Sequence, residues 1–235
     1  MKKLLLILLT LYQCFVLGAC SSEKNDSQST TAWQDTQESS NTEINTASDR
    51  DSNSGTDDSD TDNTRVLVAY FSRSGENYGV GEIEIGNTQF IAEMIAAETD
   101  ADLFRITPVN PYPDSYEECT DVARQEQEFG ARPELADSLD DLSDYDVIFL
   151  GYPIWWGDMP MPIYTFIESY DFAGTTIIPF CTHAGSGLAG TVGTIRQEIS
   201  QATVLDGLAV YGTIAQKSQD EAKTSVLKFL QEINY

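Results

Sequence analysis

From residue 65 onward, short apolar runs of strand length alternate with helix-length stretches five times over, and this alternation restricts the possible folds most. Residues 66–71 (VLVAYF) are continuously apolar, as a strand buried on both faces must be. Residues 89–98 follow with Phe90, Ile91, Met94 and Ile95 at helical spacing. The pattern repeats with a strand predicted over 101–107 and a polar surface helix over 115–127. A third strand over 147–150 (VIFL) precedes a helix opened by Pro160 and Pro162, where proline costs little in the first turn. A fourth strand over 175–181 is followed by a helix over 188–199, then a fifth strand over 203–211 and a closing helix over 220–233. Pro179 inside the fourth strand withholds a ladder donor, so a local irregularity is expected there. Five βα units imply an α/β fold: a doubly wound parallel sheet with helices on both faces.

Ligands of such open sheets bind outside the carboxyl ends of the strands, near a switch in strand order. With the order 2-1-3-4-5, the loops after strands one, three and four converge on one place, and these loops are the unusual ones. The first, Ser72-Arg73-Ser74-Gly75, continues through an eleven-residue excursion to Asn87-Thr88, which opens a helix. Hydroxyls, glycine and a helix N-terminus make an anion pocket that needs no lysine. The Gly-Lys-Ser/Thr ending of a Walker loop and the GxGxxG fingerprint are both absent. By itself the segment reads equally well as a polar turn capped at Asn87.

The second loop, Pro153-Ile154-Trp155-Trp156-Gly157, places adjacent tryptophans after a buried strand. Each needs a partner for its N–H, so a flat aromatic ligand or semi-buried packing accounts for the pair. The third loop, Cys181-Thr182-His183-Ala184-Gly185-Ser186-Gly187, carries hydroxyls, backbone amides and the only histidine in the chain. Cys181 with His183 makes a poor nucleophile–base pair, because nothing in the sequence supplies an orienting third group. The absent GxSxG elbow also argues against a hydrolase of the nucleophile-elbow class.

The first 64 residues are of another kind. A basic start at Lys2 and Lys3, an apolar stretch to Val16 and small residues before Cys20 form the layout of an export signal. Leu17-Gly18-Ala19-Cys20 resembles the lipobox of bacterial lipoproteins, which implies lipidation at Cys20 and a cell-envelope, extracytoplasmic location. Residues 21–64 are Ser, Thr, Asp, Asn and Gln with almost nothing apolar, a composition expected to stay disordered. Such a linker spans roughly 35–40 Å as a coil and tethers the 65–235 domain to a membrane.

Charge narrows the partners. Over 65–235, 27 Asp and Glu stand against 9 Lys and Arg, a net charge of −18, and no lysine occurs between Lys24 and Lys217. Nucleic acid is excluded by the lack of clustered basic residues, whereas a basic protein surface is compatible.

Tyr70-Phe71-Ser72-Arg73-Ser74-Gly75 with Asn87-Thr88 resembles the YFSxTGNT phosphate loop of flavodoxins, interrupted by an insertion over 76–86. GYPIWWGDMPMP (151–162) and PFCTHAGSGLAGT (179–191) resemble a flavodoxin-like branch common in bacteria. The resemblance spans the whole of 65–235. It implies a flavodoxin-like, three-layer α/β/α fold around a five-stranded parallel sheet, with one non-covalent FMN. By the same resemblance Ser72, Arg73, Ser74, Gly75, Asn87 and Thr88 form the phosphate loop. Pro153, Ile154, Trp155, Trp156 and Gly157 flank the ring, and Thr182, His183, Gly185, Ser186 and Gly187 form its other wall. The stacking tyrosine of many flavodoxins has no match in the third loop. The function so implied is redox: electron transfer with a partner protein, or reduction of a small acceptor such as a quinone. Retention of the fold as a non-redox binder of flavin or another flat ring is the alternative.

Overall fold

The computed structural model describes residues 64–235; the export signal, Cys20 and all of the linker but its last residue lie outside the described residues. The strands are β1 (Val66–Tyr70), β2 (Gly75–Asn77), β3 (Gly81–Ile83), β4 (Asp102–Arg105), β5 (Val147–Pro153), β6 (Thr176–His183), β7 (Thr203–Val204) and β8 (Leu208–Tyr211). The helices are α1 (Asn87–Thr99), α2 (Tyr116–Phe129), α3 (Met161–Ser169), α4 (Thr191–Glu198), α5 (Gly212–Lys217) and α6 (Gln219–Glu232).

The main sheet runs β4-β1-β5-β6, with β7 and β8 paired one after the other along the outer side of β6. All its pairings are parallel, and in units of the five predicted strands the order is the expected 2-1-3-4-5. Alternation along β1 sorts the core into two layers. Leu67 and Ala69, with Phe71 beyond the strand, pack with Ile163, Phe166 and Ile195 from α3 and α4. Val66, Val68 and Tyr70 pack with Ile91, Ile95, Val226 and Phe229 from α1 and α6. Burial on both sides explains why the β1 and β5 segments carry no polar alternation.

The predicted fifth strand is broken: 203–204 and 208–211 pair with β6, and 205–207 do not. Pro179 supplies the reason. The carbonyl of Ile177 accepts the Leu205 N–H at 2.9 Å, so alternate residues of β6, Pro179 among them, face this edge. Proline has no N–H to continue the ladder, and a Cβ on Gly207 would lie 2.7 Å from the Pro179 carbonyl oxygen. β6 itself stays continuous on its β5 side, where Leu150 pairs with Pro179.

Two features go beyond the predicted elements. The 76–86 excursion contains an antiparallel hairpin, β2–β3, and a six-residue helix, α5, precedes the closing helix. Among the described residues, no helix is long and apolar enough to cross a membrane.

Candidate functional site

The loops leaving β1, β5 and β6 meet at the carboxyl edge of the sheet around a cavity of about 470 Å³. Of the residues expected there, Arg73, Asn87, Pro153, Ile154, Trp155, Trp156, Thr182 and His183 line it. Ser72, Ser74, Gly75, Thr88, Gly157, Gly185, Ser186 and Gly187 do not line it. Among the described residues no carboxylate lines the cavity, despite the acidity of the domain.

At the anion end, α1 begins without a side-chain cap of its own, at Gly86. Ser72 substitutes from the preceding loop: its buried hydroxyl oxygen accepts the Gln89 N–H at 3.1 Å. Gly86 is required by this approach, because a Cβ there would lie 2.2 Å from Ser72 Oγ. The amides of Asn87 and Thr88, at the positive end of the helix dipole, reach no protein acceptor among the described residues. Asn87 Oδ1 is buried and has no hydrogen-bond donor among the described residues. A half-turn of that amide exchanges its ends, so Asn87 can offer N–H groups to an anion or Oδ1 to a hydroxyl. The carbonyls of Ser74 and Gly75 accept Asn77 Nδ2 at 3.4 and 3.1 Å.

Among the described residues that line the cavity Arg73 carries the only formal charge, and four of its five N–H donors are already used. The guanidinium donates to the carbonyl oxygens of Glu76, Pro113 and Asp114 over 2.7–3.0 Å, through four hydrogen bonds. It braces loops rather than presenting a free cation.

The two tryptophans have different surroundings. Trp155 is half-buried, edge-on to Phe71 at 5.3 Å and to Tyr112 at 4.9 Å. Trp156 is 54% exposed, donates through Nε1 to the Thr120 carbonyl at 2.9 Å and carries Arg124 over its ring. Trp156 and Gly157, with φ of 52° and 78°, are the central residues of a tight turn closed by reciprocal Trp155–Asp158 backbone hydrogen bonds. Turns with two positive φ values favour Asn and Gly, so a tryptophan there holds backbone strain.

In the third loop, His183 Nδ1 accepts the N–H groups of Gly185 and Gly187 at 2.9 and 3.2 Å. Those amides turn onto the imidazole instead of into the cavity. Burial holds the His183 pKa below its ordinary value, which leaves a neutral ring with its proton on Nε2. Cys181 is fully buried, its thiol is pushed up to about 12 by burial, and it donates to the Gly187 carbonyl. A thiol so placed is no nucleophile.

Several lining residues lay outside the sequence expectation: Tyr78 and Gly79 from the hairpin, Tyr116 and Cys119 from α2, Tyr211 at the end of β8 and Thr213 in α5. Tyr211 packs on His183 with ring centroids 4.3 Å apart. Its signal was available, because it ends the fifth strand at the carboxyl edge. A second hollow, about 590 Å³, lies between 138–146 and 169–175; Asp140, Asp141, Asp146 and Asp171 line it with Tyr145 and Tyr170, and it includes none of the expected residues.

A doubly wound α/β sheet with an uncharged anion cradle and an aromatic wall at its carboxyl edge defines a protein of the nucleotide-cofactor-binding class. The flavodoxin family model matches residues 65–226, and the chain belongs to the flavodoxin family. Among solved structures, an inferred flavoprotein from Bacteroides eggerthii is similar at 26% identity and TM-score 0.56, over 73% of this chain and 99% of that one. A second inferred flavoprotein, from Bacteroides uniformis, shares 28% identity at TM-score 0.54, over 70% and 98%. A flavoprotein in complex with FMN from Lactobacillus acidophilus shares the fold at 24% identity and TM-score 0.50, over 62% and 93%. Among curated proteins no relative matches.

Proposed function

We propose that this protein binds one FMN in the 470 Å³ cavity and works as a redox flavoprotein at the cell envelope. The observation that carries this reading is one cavity joining Asn87, the first residue of α1 with its unpartnered Oδ1, to the Pro153–Trp156 wall. Family membership and the FMN complex of the Lactobacillus relative support the same cofactor. FMN, when bound, supplies reversible electron uptake and release.

The chain's own residues provide the rest. The Asn87 and Thr88 amides hold the phosphate, and Ser72 fixes the helix start that presents them. Asn87 accepts from a hydroxyl of the ribityl chain or donates to the phosphate. Pro153, Ile154 and Trp156 cover the ring and exclude water. His183, kept neutral, offers an Nε2–H donor at the cavity wall. No side chain acts as a nucleophile in this scheme.

Electrons pass either to a partner protein or to a small acceptor such as a quinone. The acidic domain suits docking of a basic partner, and the Cys20 lipid anchor would keep the site near a membrane. The test is to add FMN to the purified protein, remove free ligand and record the absorbance spectrum. A retained flavin band with shifted maxima that bleaches and recovers on reduction and reoxidation supports the reading. A folded but colourless protein overturns it. A flavin that stays bound but cannot be cycled would instead favour the non-redox binding role.

A further inference from the structure

The residues that line the cavity come from two sources. Arg73, Asn87, the Pro153–Trp156 loop and the loop after β6 belong to the three connections that would hold the cofactor. A second set belongs to none of them: Tyr78 and Gly79 at the tip of the β2–β3 hairpin, and Tyr116, Cys119, Thr120 and Ala123 on one face of α2. The second set forms a single wall. The Glu76 N–H donates to the Asp114 carbonyl at 2.8 Å and the Glu76 carboxylate accepts the Tyr116 N–H at 3.1 Å, which fastens the hairpin to the start of α2. The rings of Tyr78 and Tyr116 lie 6.0 Å apart between centroids, tilted by 43°. Trp156 Nε1 donates to the Thr120 carbonyl at 2.9 Å and so holds the wall beside the tryptophan loop. Tyr78 is 66% exposed and Tyr116 39%, so the wall runs from the cavity out to solvent.

The wall combines stacking surface with neutral donors. Two aromatic rings and the buried Cys119 and Ala123 are apolar. The phenol hydroxyls of Tyr78 and Tyr116 bond to no protein group among the described residues and are free to donate. Among the described residues no carboxylate lines the cavity, and the Arg73 guanidinium is engaged with the Glu76, Pro113 and Asp114 carbonyls. A charged ring would meet no free counter-ion, whereas a neutral ring bearing carbonyl oxygens would meet both stacking surface and donors. We propose that the hairpin–α2 wall is the binding site of the electron acceptor, and that this acceptor is a neutral quinone seated against Tyr78 and Tyr116. The inference rests on the FMN reading above and chooses between its two acceptors. The quinone takes two electrons and two protons from the reduced cofactor and leaves as the hydroquinone, with the cofactor oxidised.

Equilibrium dialysis of two quinones of similar size against the full chain, loaded with FMN and kept oxidised, tests this. 2,3-Dimethyl-1,4-naphthoquinone is neutral, and 2-hydroxy-3-methyl-1,4-naphthoquinone is an anion at pH 8. At that pH the neutral compound is expected to bind at least about tenfold more tightly than the anion. Tyr78→Leu and Tyr116→Leu are each expected to weaken its binding about tenfold, with the Kd for FMN moved less than about threefold. Tyr116→Phe keeps the ring, loses the donor and is expected to weaken it about threefold. Should a leucine variant fail to fold, the phenylalanine variant decides alone. Equal affinity for the anion overturns the proposal, and so does neutral-quinone binding left unchanged by the tyrosine variants. A Kd for FMN that rises in step with that for the quinone places the tyrosines on the cofactor and overturns it too. A chain that retains no FMN ends the cofactor reading and this inference together. One that retains FMN, binds neither quinone and passes electrons to a basic redox protein ends this inference alone.

Discussion

The hydroxyls of Thr88 and Thr182 lie 2.8 Å apart, 94 residues apart in sequence, and both side chains are buried. This single hydrogen bond joins the first turn of α1 to the end of β6, and so ties the anion end of the cavity to its opposite wall. Neither hydroxyl can turn to bulk water if the other is lost. Thr88→Val and Thr182→Val are each expected to cost about 1–3 kcal/mol, because each leaves one buried hydroxyl unpaired. The double variant should cost less than the sum, since it leaves none unpaired. Denaturant unfolding of the four proteins measures the coupling, and strict additivity would mean that the bond contributes nothing.

The adjacent tryptophans should separate in their effects. Trp155→Ala removes a half-buried ring packed edge-on against Phe71 and Tyr112, and a loss of about 2–4 kcal/mol is expected. Trp156→Gly removes an exposed ring but also relieves a positive φ that glycine adopts freely. Its stability without cofactor should stay within about 1 kcal/mol of the parent, while FMN affinity falls about tenfold or more. Strain retained at Trp156 without a gain in stability is what a ligand-facing position would show. Unfolding midpoints and FMN titrations of both variants check the division, and a stability loss at Trp156 equal to that at Trp155 would contradict it.

These two rings also mark how far the sequence could be read. Continuous apolar runs such as VLVAYF and VIFL announced buried parallel strands, so the order 2-1-3-4-5 and the convergence of three loops followed from general topology. The WW pair marked one wall of the cavity, but nothing local separated a packing Trp155 from an outward Trp156; the difference lies in a turn closed by Asp158. The hairpin was illegible for a similar reason, because Gly75–Asn77 and Gly81–Ile83 carry no strand pattern, and the first of them is held through Glu76 by Arg73 and Asp114. Likewise the glycines of the third loop resemble ligand-binding amides in sequence, yet His183 Nδ1 takes them. Residues brought in from other elements, Tyr78, Tyr116 and Thr213, enter the cavity through tertiary packing alone.

The N-terminal reading yields a prediction independent of the flavin. If Cys20 carries a lipid, Cys20→Ala should move the protein from the membrane fraction to the soluble fraction without altering flavin binding by the domain. Fractionation followed by FMN titration of both proteins measures this. Continued sedimentation of the variant with membranes would remove the lipid anchor from the account and leave the site untouched.

His183 gives the domain a pH dependence with a definite sign. Burial holds its folded-state pKa below the ordinary 6.5, and two backbone amides donate to Nδ1, so protonation there breaks both hydrogen bonds. The unfolded chain therefore binds this proton more readily than the folded one. The associated stability is fully present above about pH 6.5 and is lost as pH falls through the lowered folded value. Glu126 has the opposite tendency, since burial raises its pKa, with the Tyr112 hydrogen bond working against the rise, and it contributes in the other direction at lower pH. Comparison with His183→Gln cancels Glu126 and isolates the imidazole. The variant is expected to be less stable at pH 8, where the two amides lose their acceptor, and to change less between pH 7 and pH 5 than the parent. Parallel slopes over that range would show that His183 takes up its proton equally in the folded and unfolded chains, so that its folded-state pKa is not lowered.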